Sequence, residues 1–149
     1  MGNIYLHDLN INSHLKQRKN LKIFLQFIFE NEKKSLQRID IIFCTDDYLL
    51  ALNQQFLQHN YYTDTLSFLS SGSGDPIIGE VFISIERIKA NSRRLQILYK
   101  EELLRVIIHS CLHLCGYLDK PRVEYLKMEK RQELYLKKWN VSRETQIGG

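Results

Sequence analysis

The sequence predicts an α+β (α/β) fold: a mixed sheet of about four strands, one of them antiparallel, surrounded by about five helices. Two observations carry this. Apolar, β-branched runs alternate with segments whose apolar residues recur at helical spacing. One turn-rich stretch, Ser70-Ser-Gly-Ser-Gly-Asp-Pro76, joins strand to strand and so requires an antiparallel pair within an otherwise alternating order. No linker or internal repeat divides the 149 residues. Residues 1–141 are therefore expected to form a single domain, with 142–149 a disordered tail.

Taken in order, residues 4–9 are a short apolar-rich first strand, and Ser13 is placed to cap the next segment. Residues 15–32 carry Leu21, Phe24, Leu25, Phe27 and Ile28 at helical spacing, an aromatic stripe meant for the core. Residues 38–44, with Ile39, Ile41, Ile42 and Phe43, read as a strand buried on both faces. Thr45 or Asp46 caps a helix to Leu57, with Leu49, Leu52 and Phe56 inward. Residues 65–69 and 77–83 are the hairpin strands. Ser84, with Glu86 nearby, opens a helix to Leu95. Residues 100–115 form the next helix, with Glu101 and Glu102 in its first turn, where carboxylates suit the helix dipole. Pro121 sits at the start of a last helix to about Lys138, with Glu133 and Lys137 as a surface pair.

Composition narrows the class. Apolar residues at 44% and charged residues at 26% are ordinary for a globular protein. No apolar run approaches the ~18 residues of a membrane span, and the N-terminus lacks the pattern of a secretory signal. The three cysteines, Cys44, Cys111 and Cys115, are accordingly expected as reduced thiols in a cytoplasm. A net charge of +4 is compatible with nucleic-acid binding without being diagnostic of it.

The chemistry concentrates in His109-Ser-Cys-Leu-His113-Leu-Cys-Gly116-Tyr-Leu-Asp119. Histidines at i and i+4 stack on one helical face. Gly116 can end the helix in the left-handed conformation and turn the chain back, which returns Asp119 as a third ligand. Three ligands leave one position open, as in catalytic rather than structural zinc sites. Cys111 lies about 200° round the helix from His109 at 100° per residue, and Cys115 also turns away, so neither joins the set. Zinc is the first expectation, one per chain, with other divalent transition metals compatible with the same donors. The spacing also resembles zinc proteases, which need Glu directly after the first histidine as general base. Here that residue is Ser110, which argues against proteolysis.

Three blocks, in order, make the chain resemble the YbeY-type endoribonucleases, a family of ribosomal RNA maturation factors. They are Leu52-Asn53 and Phe56 with Thr63-Asp64-Thr65-Leu66-Ser67-Phe68 after them; then Gly79-Glu80-Val81-Phe82-Ile83-Ser84; then residues 106–117 around the two histidines. The resemblance spans residues 39–135. It implies a zinc-dependent, single-strand-specific endoribonuclease acting in 3′-end maturation of small-subunit ribosomal RNA and in ribosome quality control. Its implied partners are RNA and the small ribosomal subunit or its proteins, with no membrane. The chain departs from the family in three places. Asp119 stands where a third histidine is usual, Leu57 where an arginine is usual, and Glu80 where Asp is usual. The loss of the arginine favours, as the alternative, a metal-stabilised ribosome-binding assembly factor with little nuclease activity. Candidate substrate contacts are Thr63, Asp64, Ser67, Glu80, His59 and Arg105. Arg87, Arg93 and Arg94 are further cations that could hold a backbone, and Tyr61 and Tyr62 further rings for base stacking.

Overall fold

The computed structural model describes residues 2–58 and 63–148, with 142–148 as backbone only. His59, Tyr61 and Tyr62 lie outside the described residues. The element order is β1 (Asn3–Asp8), α1 (Arg18–Asn31), β2 (Leu36–Cys44), α2 (Asp46–Leu57), β3 (Thr65–Leu69), β4 (Ile77–Ser84), α3 (Ile85–Leu95), α4 (Tyr99–Leu114) and α5 (Arg122–Gly148). The strands form one sheet in the order β1-β2-β4-β3. β1 and β4 both run parallel to β2, and β3 runs antiparallel to β4. The expected α+β fold is thus present, down to its single antiparallel strand.

Strand alternation sorts the two faces of the sheet. Ile39, Ile41 and Phe43 of β2, Val81 and Ile83 of β4 and Ile4 of β1 enter the core. Helices α1 and α4 cover that face with Leu21, Leu25, Ile28, Phe29, Ile107 and Ile108, and each such side chain contributes roughly 1.5–3 kcal/mol by leaving water. At Gly79 the end of α4 packs close against β4. A Cβ there would stand 3.0 Å from Leu114 and 3.2 Å from the Phe68 carbonyl oxygen. On the opposite face α2 covers only the β3–β4 half, where Tyr48 meets Phe82 and Phe56 meets Phe68. Over β1 and β2 that face is polar, and Asp40 accepts from Arg38 and faces His7 at 2.9 Å. β2 is therefore buried on one face, not two, because among the described residues no helix lies over its outer side.

Several local expectations shift. Ser13 does not cap α1. Its hydroxyl accepts from the amide of Leu15 and from Arg18, and the helix starts at Arg18 behind a left-handed Gln17. Phe27 is half exposed while Phe29, off the expected stripe, is fully buried. In α2 the inward positions are Leu49 and Asn53, and Phe56 is mostly exposed apart from its ring contact with Phe68. Thr45 and Ser84 do cap their helices, accepting from the amides of Tyr48 and Arg87. Helix α5 passes the expected end near Lys138 and remains helical through the segment expected to be a tail, because no Gly or Pro interrupts it before Gly148. Glu133 pairs with Arg105 of α4 in place of Lys137, since residue 133 lies on the side of α5 that meets α4.

Candidate metal centre

Helix α4 ends as the sequence requires. Gly116 adopts φ +109°, its amide donates to the His113 carbonyl, and the Tyr117 amide donates to the Leu112 carbonyl. These two bonds form a Schellman motif, which satisfies the last carbonyls and reverses the chain. The reversal brings Asp119 back to the histidine face. Asp119 Oδ2 stands 2.8 Å from His113 Nε2, and Asp119 Oδ1 stands 3.7 Å from His109 Nε2. One ligand atom from each of the three residues lies within 4.8 Å of the others, close enough to share one ion.

The remaining ring nitrogens are also committed. His113 Nδ1 donates to the Tyr117 carbonyl at 3.0 Å, and His109 Nδ1 faces the Gln132 amide oxygen at 2.8 Å. An acceptor at Nδ1 places the proton there and leaves the Nε2 lone pair for a cation. The Nε2 atoms of both histidines then face the Asp119 carboxylate, two imidazoles and a carboxylate being a common divalent-metal donor set. The donor set therefore suits a metal. Gln132 lies on α5, and sequence reasoning did not single it out. A glutamine on a polar helix carries no signal of its role, and its partner is distant in the chain.

The neighbours of the trio are fixed from the sheet side. Ser110 is fully buried. Its hydroxyl donates to the Val106 carbonyl and accepts from Thr65 Oγ1 at 2.9 Å. Position 110 thus points into the core against β3, away from the trio, and does not occupy the place of a protease base. Cys44, Cys111 and Cys115 are buried free thiols, none of them a ligand. Burial pushes Cys44 and Cys115 up to about 12, and Cys111 higher still, so all three are inert.

The other candidates divide. Asp64 is partly buried near His109. Desolvation raises its carboxyl above the usual range, and the nearby His109 only partly opposes this. Its carbonyl accepts from the Ser84 amide. Thr63 caps the start of β3 by donating to the Thr65 carbonyl at 3.5 Å. Ser67 pairs with Val81 on the α4 face of the sheet, and its hydroxyl is buried without a partner among the described residues. Glu80 alternates with Gly79 and Val81 and so projects from the opposite face, away from the histidines. Arg105 is spent on Glu133 and Glu102, and Arg87 on Asp46. Arg93 and Arg94 are exposed in the last turn of α3. Leu57 is exposed at the end of α2 and brings no charge. A group of cations not anticipated from sequence lies on α5. Lys127, Lys130 and Lys137, with Leu134 and Tyr117, line a groove of about 630 Å³. Tyr117, whose carbonyl accepts from His113, is the one lining residue that also touches the trio.

Fold and trio together define a class: an α+β protein with a three-ligand group, carried on a helix and its C-terminal turn, able to hold a metal. Comparison with known proteins makes the assignment specific. A family model described as Endoribonuclease YbeY matches residues 6–140, and the chain belongs to that family. An Endoribonuclease YbeY from Karelsulcia muelleri is 41% identical over 123 residues, covering 83% of this chain and 86% of that protein. Another, from Flavobacterium psychrophilum, is 45% identical over 111 residues, covering 74% and 79%. A solution structure of a protein from Thermotoga maritima superposes with a TM-score of 0.64 at 27% identity, covering 93% of each chain.

Proposed function

We propose that the chain is a zinc-dependent, single-strand endoribonuclease of 3′-end maturation of small-subunit ribosomal RNA and of ribosome quality control. Its expected setting is the cytoplasm, and its expected partners are RNA and the small ribosomal subunit or its proteins. No helix of the described residues is long and apolar enough to cross a membrane. The observation that carries the reading is the convergence of His109 Nε2, His113 Nε2 and Asp119 in a chain of the YbeY family.

His109, His113 and Asp119 would hold the metal, which when bound supplies Lewis acidity toward a phosphodiester and its attacking water. A carboxylate as third ligand makes the set more negative than three imidazoles and moderates that acidity. Tyr117 and Gln132 keep both imidazoles in the ligating tautomer. The lysines lining the α5 groove would offer an RNA backbone the positive charge that Leu57 and the spent Arg105 do not. A second reading, a metal-stabilised assembly factor with little nuclease activity, is favoured by one observation: the exposed Leu57 offers nothing to hold a phosphate.

One experiment separates the two. Protein purified without added metal is analysed for its elements, then incubated with single-stranded RNA beside His113→Ala. The enzyme reading expects about one zinc per chain, cleavage by the parent and none by the variant. Equal cleavage by both would mark contamination and remove the enzyme reading. Zinc without cleavage would leave the assembly factor.

A further inference from the structure

Glu32 has no part in the chemistry above, yet its carboxylate accepts from three different side chains. Its side chain is only 8% exposed. It accepts from the Tyr117 hydroxyl at 2.7 Å, from Arg131 Nε at 2.8 Å and from the Tyr135 hydroxyl. Asn31, beside it, donates to the same Tyr135 hydroxyl at 2.8 Å. Burial alone would raise the Glu32 carboxyl, but the donors Tyr135, Tyr117 and Arg131 outweigh burial and hold it below the usual carboxylate range. The group is therefore an anion at neutral pH, with its charge matched inside the protein.

The donors are more telling than their number. Tyr117 is the residue whose carbonyl accepts from His113 Nδ1. Arg131 immediately precedes Gln132, whose amide oxygen meets His109 Nδ1. Tyr135 lies one turn further along the same helix, fully buried against α1. One carboxylate at the end of α1 thus grips both segments that carry the acceptors of the two histidines. The turn after α4 is held by the Tyr117 hydroxyl, and α5 is held by Arg131 and Tyr135.

We propose that Glu32 is a positioning residue for the metal centre, holding the Tyr117 carbonyl on His113 and seating α5 so that Gln132 meets His109. The inference rests on the metal reading of the trio. It differs from a general stabilising role because it requires the carboxylate to act through the two imidazoles. Loss of Glu32 should leave the ligands present but their rings less constrained, at the affinity cost usual for an outer hydrogen-bond partner.

The test uses the full chain, metal-free, with zinc alone as the probe, titrated against a chromophoric chelator. Glu32→Gln keeps the shape and removes the charge, Tyr117→Phe removes only the hydroxyl, and the double variant carries both. Ile88→Val, on the buried face of α3, serves as a destabilised control outside the network. Glu32→Gln is expected to weaken zinc binding roughly tenfold. Tyr117→Phe should weaken it by a smaller factor, and the double variant should match Glu32→Gln, because residues acting in one chain are not additive. Ile88→Val should melt earlier with zinc affinity unchanged. A folded Glu32→Gln with affinity within about twofold of the parent would overturn the inference. So would full additivity in the double variant. If Glu32→Gln does not fold, Tyr117→Phe decides alone, and parental affinity in it overturns the inference. A parent chain that binds no zinc would overturn the metal reading and this inference together, an outcome distinct from all the others.

Discussion

The amide oxygen of Gln132 on α5 stands 2.8 Å from Nδ1 of His109 on α4. The last helix thereby decides which ring nitrogen the first histidine offers to a metal. Replacing Gln132 by Leu removes that acceptor while keeping the volume close. Zinc affinity should fall by about 10–100-fold. Gln132→Glu, which retains an acceptor, should stay near the parent. Competition titration with a chelator measures both, and parental affinity in Gln132→Leu would show that His109 holds its tautomer unaided.

Gly116 is needed for its backbone. At φ +109° an added side chain meets nothing within 4 Å, so the cost of Gly116→Ala is conformational strain alone. That strain should lower stability by about 1–3 kcal/mol, read from urea denaturation of the metal-free chain. An unchanged midpoint would mean the turn relaxes freely, and the Schellman geometry would not be what places Asp119.

The trio could be read from sequence for a local reason. Two histidines one turn apart, a helix-ending glycine and an acid just beyond it all lie within one short stretch. The single antiparallel pair could be read because the stretch at 70–76 joins one strand directly to the next. What was not legible depends on partners far away in the chain. Arg105 looks like a cation available to RNA until α5 brings Glu133 against it. Glu80 looks like a cleft residue until strand register turns it to the other face. Glu32 is an ordinary acid after a helix until Tyr117, Arg131 and Tyr135 close round it. Local spacing encodes ligands well, and it does not encode the acceptors behind them.

Leu57 ends α2 with an exposed side chain and no charge to offer. Leu57→Arg should raise cleavage of single-stranded RNA by roughly tenfold, the effect of one added charge-assisted contact of ~1.5 kcal/mol at the transition state. Single-turnover rates on a short RNA measure it. An unchanged rate both below and at saturation would mean phosphate holding does not limit the reaction.

Glu32 also sets an acid limit. Its folded carboxyl lies below its ordinary value of 4.5, despite burial, because Tyr135, Tyr117 and Arg131 donate to it. Between those two values the unfolded chain binds the extra proton, so stability rises with pH. The contribution is complete above about pH 4.5 and is lost as pH falls through the folded value. Denaturation curves of the metal-free parent should therefore steepen in loss below about pH 4.5, and Glu32→Gln should lose less over the same interval. Asp64 and Glu102 shift the other way, chiefly through desolvation, but both proteins contain them and they cancel in the difference. Parallel curves for the two proteins would show that the carboxylate is not held as an anion.

The span from Glu32 to Tyr135 has a consequence for timing. Both histidines are in place once α4 forms, but the acceptors that orient them arrive with Tyr117 and then with Gln132. During synthesis, which proceeds from the N-terminus, the centre stays unfinished until the final helix docks. A chain interrupted before α5 would carry both histidines with the first of them unoriented. The acceptor that orients His109 is thus supplied only by the segment made after all three residues of the trio.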